Sequence, residues 1–168
     1  MTPADLLIES FTRIPSIVDR ATSGLDAQQL AARPAPGTNT IAWLAWHTAR
    51  GQDAQIATLA GTEEVWVADG WYGRFELPFG PVEMGYGMSA GDVVRVVSTA
   101  ALLTGYLDAV TERTRAYLSD LSEEALDEVV DENWNPPVTR GVRLVSILGD
   151  CLQHAGQASY ARGILDRL

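Results

Sequence analysis

The chemistry legible in this chain sits on two histidines and one aspartate. His47 and His154 are its only histidines, and Asp150 stands four residues before the second. On a helix, at ~100° per residue, positions four apart lie about 40° apart around the axis, so Asp150 and His154 face the same way. A second helix bringing His47 opposite them assembles a His/Asp/His set: three protein ligands for a divalent metal, with a position left open. Each residue also has a plainer reading. A core histidine is commonly satisfied by a backbone carbonyl or a hydroxyl, and Asp150 could pair with Arg50 or Arg143. All three facing inward from two helices favours metal binding or acid–base work over those readings.

The helical faces support the grouping. Within about 60° of His154 lie Ile147, Asp150, Cys151, Ala158, Ala161 and Leu165, an apolar stripe with a carboxylate on it. Such a carboxylate is costly unless paired or bound to a metal. Around His47 lie Trp43, Leu44, Gly51, Ala54 and Thr58, and the small Gly51 and Ala54 leave room beside the imidazole. Asp53 points about 120° away and is a poor co-ligand, whereas Arg50, about 60° away, reaches the edge of the site. Cys151 is the only cysteine. It lacks a positioning partner and reads as a small buried hydrophobe rather than a nucleophile. Trp43 and Trp46 read as core residues.

Composition narrows the classes. With 168 residues and 46% apolar content, the chain is long enough for one domain, 1–168, with a substantial core. A net charge of −10 argues against a nucleic-acid partner and against attraction to an anionic membrane. All 12 basic residues are arginine, so lysine Schiff bases and Walker-type phosphate loops are excluded. One cysteine allows no internal disulfide and no cysteine-based zinc cluster. No apolar run approaches ~18 residues and the N-terminus lacks a signal-like pattern, so a cytoplasmic location is expected.

The elements that must position the three residues read as four long helices. The first spans about 3–21, with Pro15 placed to kink or divide it. The second spans about 40–60, with a cap at Thr38 or Asn39 and a stop at Gly61. The third runs from near Ser89, where Ser89 and Asp92 resemble a capping box, to about Leu118. A short helical piece is expected within 122–131, and the fourth helix spans about 140–167, capped by Thr139. Between the second and third lies a long connection, 61–88, holding six of the 13 aromatics: Trp66, Trp71, Tyr72, Phe75, Phe79 and Tyr86. A short extended piece is expected at 66–75. The connection either caps the end of the bundle, walls a substrate pocket, or does both. The fold class is therefore all-α: a four-helix bundle with a long crossover between helices two and three.

Two segments resemble a known family. Pro34-x-Pro36-Gly37 leading to Ile41, Trp43, Trp46-His47, Arg50 and Asp53 is similar to the second helix of the DinB-like superfamily. Leu148-Gly149-Asp150 leading to His154-Ala155-Gly156-Gln157, Tyr160 and Arg162-Gly163 is similar to its fourth. The resemblance covers nearly the whole chain. It implies a divalent metal, zinc or nickel above all, held by three residues, two of which correspond to His47 and His154. The third is a histidine in much of the superfamily and is Asp150 here. A carboxylate at that place resembles the branch of mycothiol-dependent maleylpyruvate isomerase.

What the resemblance implies is a thiol S-transferase or isomerase using a low-molecular-weight thiol such as mycothiol or bacillithiol as cosubstrate. Arg50 and the aromatic connection, Trp71 and Tyr72 in particular, are the candidate substrate contacts. A metal-assisted hydrolase and a non-catalytic metal- or ligand-binding bundle are the alternatives. The expected partner is a small-molecule substrate, with neither nucleic acid nor membrane involved, and a homodimer is left open.

Overall fold

Hydrophobic periodicity gathers the chain into four long helical runs around one core. In the structure, a computed structural model describing residues 1–167, these are α1 (Pro3–Thr12) with α2 (Ile14–Thr22), α4 (Ile41–Ala60), α8 (Ala100–Ser119) and α9 (Arg140–Leu165). The one-turn α3 (Ala27–Leu30) precedes α4. The crossover from α4 to α8 carries α5 (Val65–Ala68), α6 (Trp71–Phe75) and α7 (Ala90–Val93). A 3₁₀ turn, Glu124–Asp127, and an antiparallel pair, β1 (Val129–Asp131) with β2 (Val138–Thr139), lead into α9. This is the all-α, four-helix architecture with a long crossover that the sequence implies. No helix among the described residues is long and apolar enough to cross a membrane.

Helix α4 is the central element. Every residue from Ile41 to Asp53 is buried, with Phe11, Val18, Leu107, Val110, Leu144 and Ala155 in the same core. Ala42, Ala45, Ala49 and Gly51 keep its surface small, which lets neighbouring helices approach closely. The helix starts one to two residues later than the sequence suggests. Thr40, rather than Thr38 or Asn39, is the cap, its hydroxyl accepting from Trp43 N at 3.1 Å. It ends at Gly61, whose φ of 65° is left-handed and suits a residue without a side chain.

As expected, Pro15 divides the first helix, placing α2's start at Ile14 with Arg13 shared between the two ends. Two other expectations change. The expected third helix is broken. Ser89 does cap, accepting from Asp92 N, but α7 lasts one turn and α8 begins afresh with Thr99 as its cap. The intervening Val93-Val94-Arg95-Val96-Val97-Ser98-Thr99 is rich in β-branched residues, which lose rotamer freedom in a helix. The expected extended piece at 66–75 is instead two helical turns, α5 and α6. Helix α5 has no side-chain cap of its own. Asp53, reaching across from α4, accepts from Val65 N at 2.9 Å and Trp66 N at 2.8 Å.

Asp53 therefore joins the crossover to the core helix, with Tyr106 Oη donating to it at 2.7 Å. It is 3% exposed. Replacing it by alanine strands two backbone donors and a phenol in the interior, and Asp53→Ala is expected to lower unfolding free energy by about 3 kcal/mol. Urea unfolding checks this; a loss under about 1 kcal/mol would mean the crossover is held by other contacts.

Candidate metal centre

The two helices that carry the triad run side by side in opposite directions. His47 on α4 lies beside His154 on α9, with ring centroids 4.8 Å apart. Asp150, one helical turn before His154, faces the gap: its Oδ1 lies 3.4 Å from His154 Nε2. One donor atom from each of His47, Asp150 and His154 falls within 4.8 Å of the others. Opposite Asp150, α4 contributes Gly51, where even a methyl group would come within 3.7 Å of Asp150 Oδ2.

The outer nitrogen of each imidazole is already committed. His47 Nδ1 contacts the Met84 carbonyl, and since a carbonyl only accepts, Nδ1 is the donor and Nε2 the free nitrogen. His154 Nδ1 lies 3.3 Å from Gln157 Oε1, again leaving Nε2 toward Asp150. Metal-binding histidines characteristically donate their second N–H to an oxygen in this way, which fixes ring and tautomer. Two such nitrogens and one carboxylate are a donor set for zinc, nickel or a similar divalent ion. Tetrahedral ligation at about 2.1 Å needs donors ~3.4 Å apart, the separation already present between His154 and Asp150.

Trp43, expected only in the core, also walls the site. It stacks on His47, with centroids 4.5 Å apart and planes 18° apart, and meets His154 edge-on at 6.0 Å. Asp150 departs from expectation in the other direction. Its side chain is 46% exposed rather than sunk in an apolar stripe. Neither proposed arginine pairs with it: Arg50 bonds Glu64 at 2.7 Å and Arg143 bonds Asp131 at 2.7 Å. The carboxylate opens onto a cavity of about 270 Å³ lined by His47, Gly51, Gln55, Met84, Tyr86, Ser146 and Asp150.

Electrostatics separate the two imidazoles. The hydrogen bond with His154 lowers the Asp150 pKa, and the same bond raises that of His154, against the opposing effect of burial. His47 moves down, chiefly because burial disfavours its charged form, with the Met84 carbonyl opposing.

The other expected site residues lie elsewhere. Arg50 is fully buried beneath the crossover, its Nη1 donating to Glu64 and its Nε to the Glu83 carbonyl at 3.1 Å. It clamps the loop rather than facing the cavity. Trp71 packs on Tyr106, and the Tyr72 hydroxyl donates to the Phe79 carbonyl at 3.2 Å. Neither lines the cavity over the triad. The expected small buried Cys151 is 1% exposed, and burial pushes its thiol pKa far up.

The segment that sequence reading passed over is Glu83-Met84-Gly85. The Glu83 carboxylate accepts from Met84 N at 2.9 Å and Gly85 N at 2.7 Å, curling the backbone so that the Met84 carbonyl meets His47. Gly85, at φ 91°, sits flat on the site: a Cβ there would lie 2.9 Å from His47 Nδ1 and 3.1 Å from the Trp46 ring. The glycines at 80, 85 and 87 were the available signal.

Known proteins share this fold. A family model described as the DinB superfamily matches residues 10–158. A crystal structure described as that of a conserved protein of Enterococcus faecalis superposes with a TM-score of 0.93 at 33% identity, covering 100% of this chain and 99% of that one. No curated protein matches.

Two outcomes follow from the site's construction. In metal-free protein, NMR titration of the two imidazoles should place His154 above the ordinary value of about 6.5 and His47 below it. The reverse order would contradict the pairing with Asp150. Gly85→Ala pushes a methyl group into the His47 support and should weaken zinc affinity about tenfold or more by competitive chelator titration; unchanged affinity would detach the crossover from the site.

Proposed function

The chain belongs to the DinB superfamily, and on that footing we propose that it is a divalent-metal-dependent enzyme, a thiol S-transferase or isomerase whose nucleophile is an incoming low-molecular-weight thiol such as mycothiol. The observation that carries this reading is an ordered donor triad beside an open cavity, with the chain's one cysteine sealed away from it. Zinc or nickel suits the donor set best. The carboxylate at position 150 supports the branch of mycothiol-dependent maleylpyruvate isomerase.

Held by His47, Asp150 and His154, a divalent ion would supply Lewis acidity, lowering the pKa of a thiol at the open position. The chain's own residues prepare that position. The Met84 carbonyl accepts from His47 Nδ1 and leaves its Nε2 free and aimed inward, while Gln157 holds the His154 ring with its Nε2 toward Asp150. Asp150 contributes the one negative charge of the set. Trp43 and Gly85 close the side of His47 away from Asp150 to water, while Gly51 and Ser146 leave the cavity side clear. Cys151 cannot substitute for the thiol. Its Sγ contacts the Thr48 carbonyl and Gln52 Oε1 inside the helix pair, at 3.9 and 3.8 Å.

Protein purified without an affinity tag should contain about one divalent ion per chain by plasma mass spectrometry, and His154→Ala should lose it. Thiol-conjugating turnover should fall at least about a hundredfold in the variant while far-UV circular dichroism is kept. Unchanged turnover in His154→Ala would sink the reading. Turnover of esters or amides without any thiol would replace it by a metal-assisted hydrolase, and a metal-bound protein inert to both panels by a binding module.

A further inference from the structure

Along α4 the residues facing α9 change size at His47. Trp43, one turn before it, fills the seam: its ring stacks on His47 and meets His154 edge-on. Gly51, one turn after it, leaves the seam open against Asp150. A ligand with one atom over the triad can therefore continue along the seam in one direction, away from Trp43. In that direction the cavity of about 270 Å³ over the triad meets a second of about 230 Å³, and Gln55 lines both. Because the helices run antiparallel, α4 contributes Gly51, Gln55 and Thr58 in turn while α9 contributes Asp150, Ser146 and Arg143. Asp150 and Arg143 are seven residues apart, about 10 Å along a helix at ~1.5 Å per residue.

This groove is polar, yet past Asp150 it carries no net charge. Gln55 donates one amide hydrogen to the Gly51 carbonyl at 3.2 Å and keeps its Oε1 as an acceptor. Ser146 adds an exposed hydroxyl. At the far end Arg143 Nη2 bonds Asp131 Oδ2 at 2.7 Å. An ion pair already closed in this way offers its remaining N–H groups and lone pairs, but no free charge. A hydroxyl or an amide can use both kinds of partner. A carboxylate meets Asp131 as well as Arg143 and gains little for the water it gives up. A bare alkyl chain leaves the lining groups without partners.

We propose that this groove binds the tail of the thiol substrate, and that the tail is uncharged, about 10 Å long and rich in hydroxyl or amide groups, running from the sulfur over the triad past Gln55 and Ser146 to the Arg143–Asp131 pair. The place of the sulfur rests on the thiol-transfer reading; the direction, reach and charge of the tail rest on the groove. Thiols that end in carboxylates, and thiols too short to pass Ser146, are poor ligands for it.

The test is calorimetric titration of zinc-loaded protein with N-acetylcysteamine, pantetheine and glutathione. The first is short and neutral, the second long and neutral with amides and hydroxyls, the third of similar reach but ending in carboxylates. Pantetheine is expected to bind about tenfold or more tightly than either of the others. Thr58 is exposed and lines only the outer cavity. Thr58→Phe, with far-UV circular dichroism unchanged, should bring pantetheine down to the level of N-acetylcysteamine, whose own affinity stays within about twofold. Asp131→Asn keeps an oxygen for the Asn133 amide but frees the charge of Arg143, and should tighten glutathione about fivefold. Pantetheine that fails to bind or binds no better than N-acetylcysteamine, an advantage that survives Thr58→Phe, or glutathione indifferent to Asp131→Asn would each overturn the proposal. Turnover separates it from the parent reading. Thiol-dependent turnover with no preference for the longer thiol keeps the transferase and sinks the groove. Selective binding of pantetheine without thiol-dependent turnover keeps the groove and sinks the transferase.

Discussion

Helix α4 is enclosed on all sides over its first three and a half turns, yet that stretch carries His47, Arg50, Gln52 and Asp53. Each polar group taken out of water must find its partner inside. The regular helices around α4 have few to offer, because their own backbone groups are used in their own ladders. Irregular backbone has carbonyls and amides to spare, and the crossover supplies them. Arg50 takes the Glu83 carbonyl, Asp53 takes the amides of Val65 and Trp66, and His47 takes the Met84 carbonyl. The long connection is thus the solvation shell of a buried polar helix. The fixed ring and tautomer of His47 are one product of that requirement.

The same view explains the arginines. Arg50, Arg140 and Arg162 each reach more than one internal acceptor. Arg140 bonds the carbonyls of Leu59 and Ala125 and the Tyr117 hydroxyl, and Arg162 bonds the Ser23 carbonyl and Asp166. A planar guanidinium suits such multiple, fixed contacts better than an ammonium does. Counting basic residues therefore overstates the positive charge this acidic chain presents to a ligand.

What the sequence revealed, and what it hid, follows from range. The His47, Asp150 and His154 grouping was legible because helix periodicity fixes direction over a few residues and only two helices had to meet. The Thr139 cap and the Gly61 stop were legible for the same local reason. The break between α7 and α8 was hidden behind a good capping signal at Ser89, although the β-branched run after it carried the contrary message. Arg50 misled because its angle on the wheel is near the site while its length takes the guanidinium under the crossover. The Met84 carbonyl, a backbone atom in an irregular segment, has no side-chain signature at all. Asp150 was read as buried from its stripe, but Gly51 opposite it leaves the seam open, and a missing side chain on the partner helix is invisible to a single-helix wheel.

The identity of residue 150 also bears on what the site can accept. Three histidines would hold a dication without neutralising it; His47, Asp150 and His154 would reduce its charge to a single positive unit, which the anionic sulfur of the proposed thiol would balance. A second or third negative charge on the partner substrate would then enter with nothing left to compensate it, in a seam whose outlying arginine, Arg143, is already paired with Asp131.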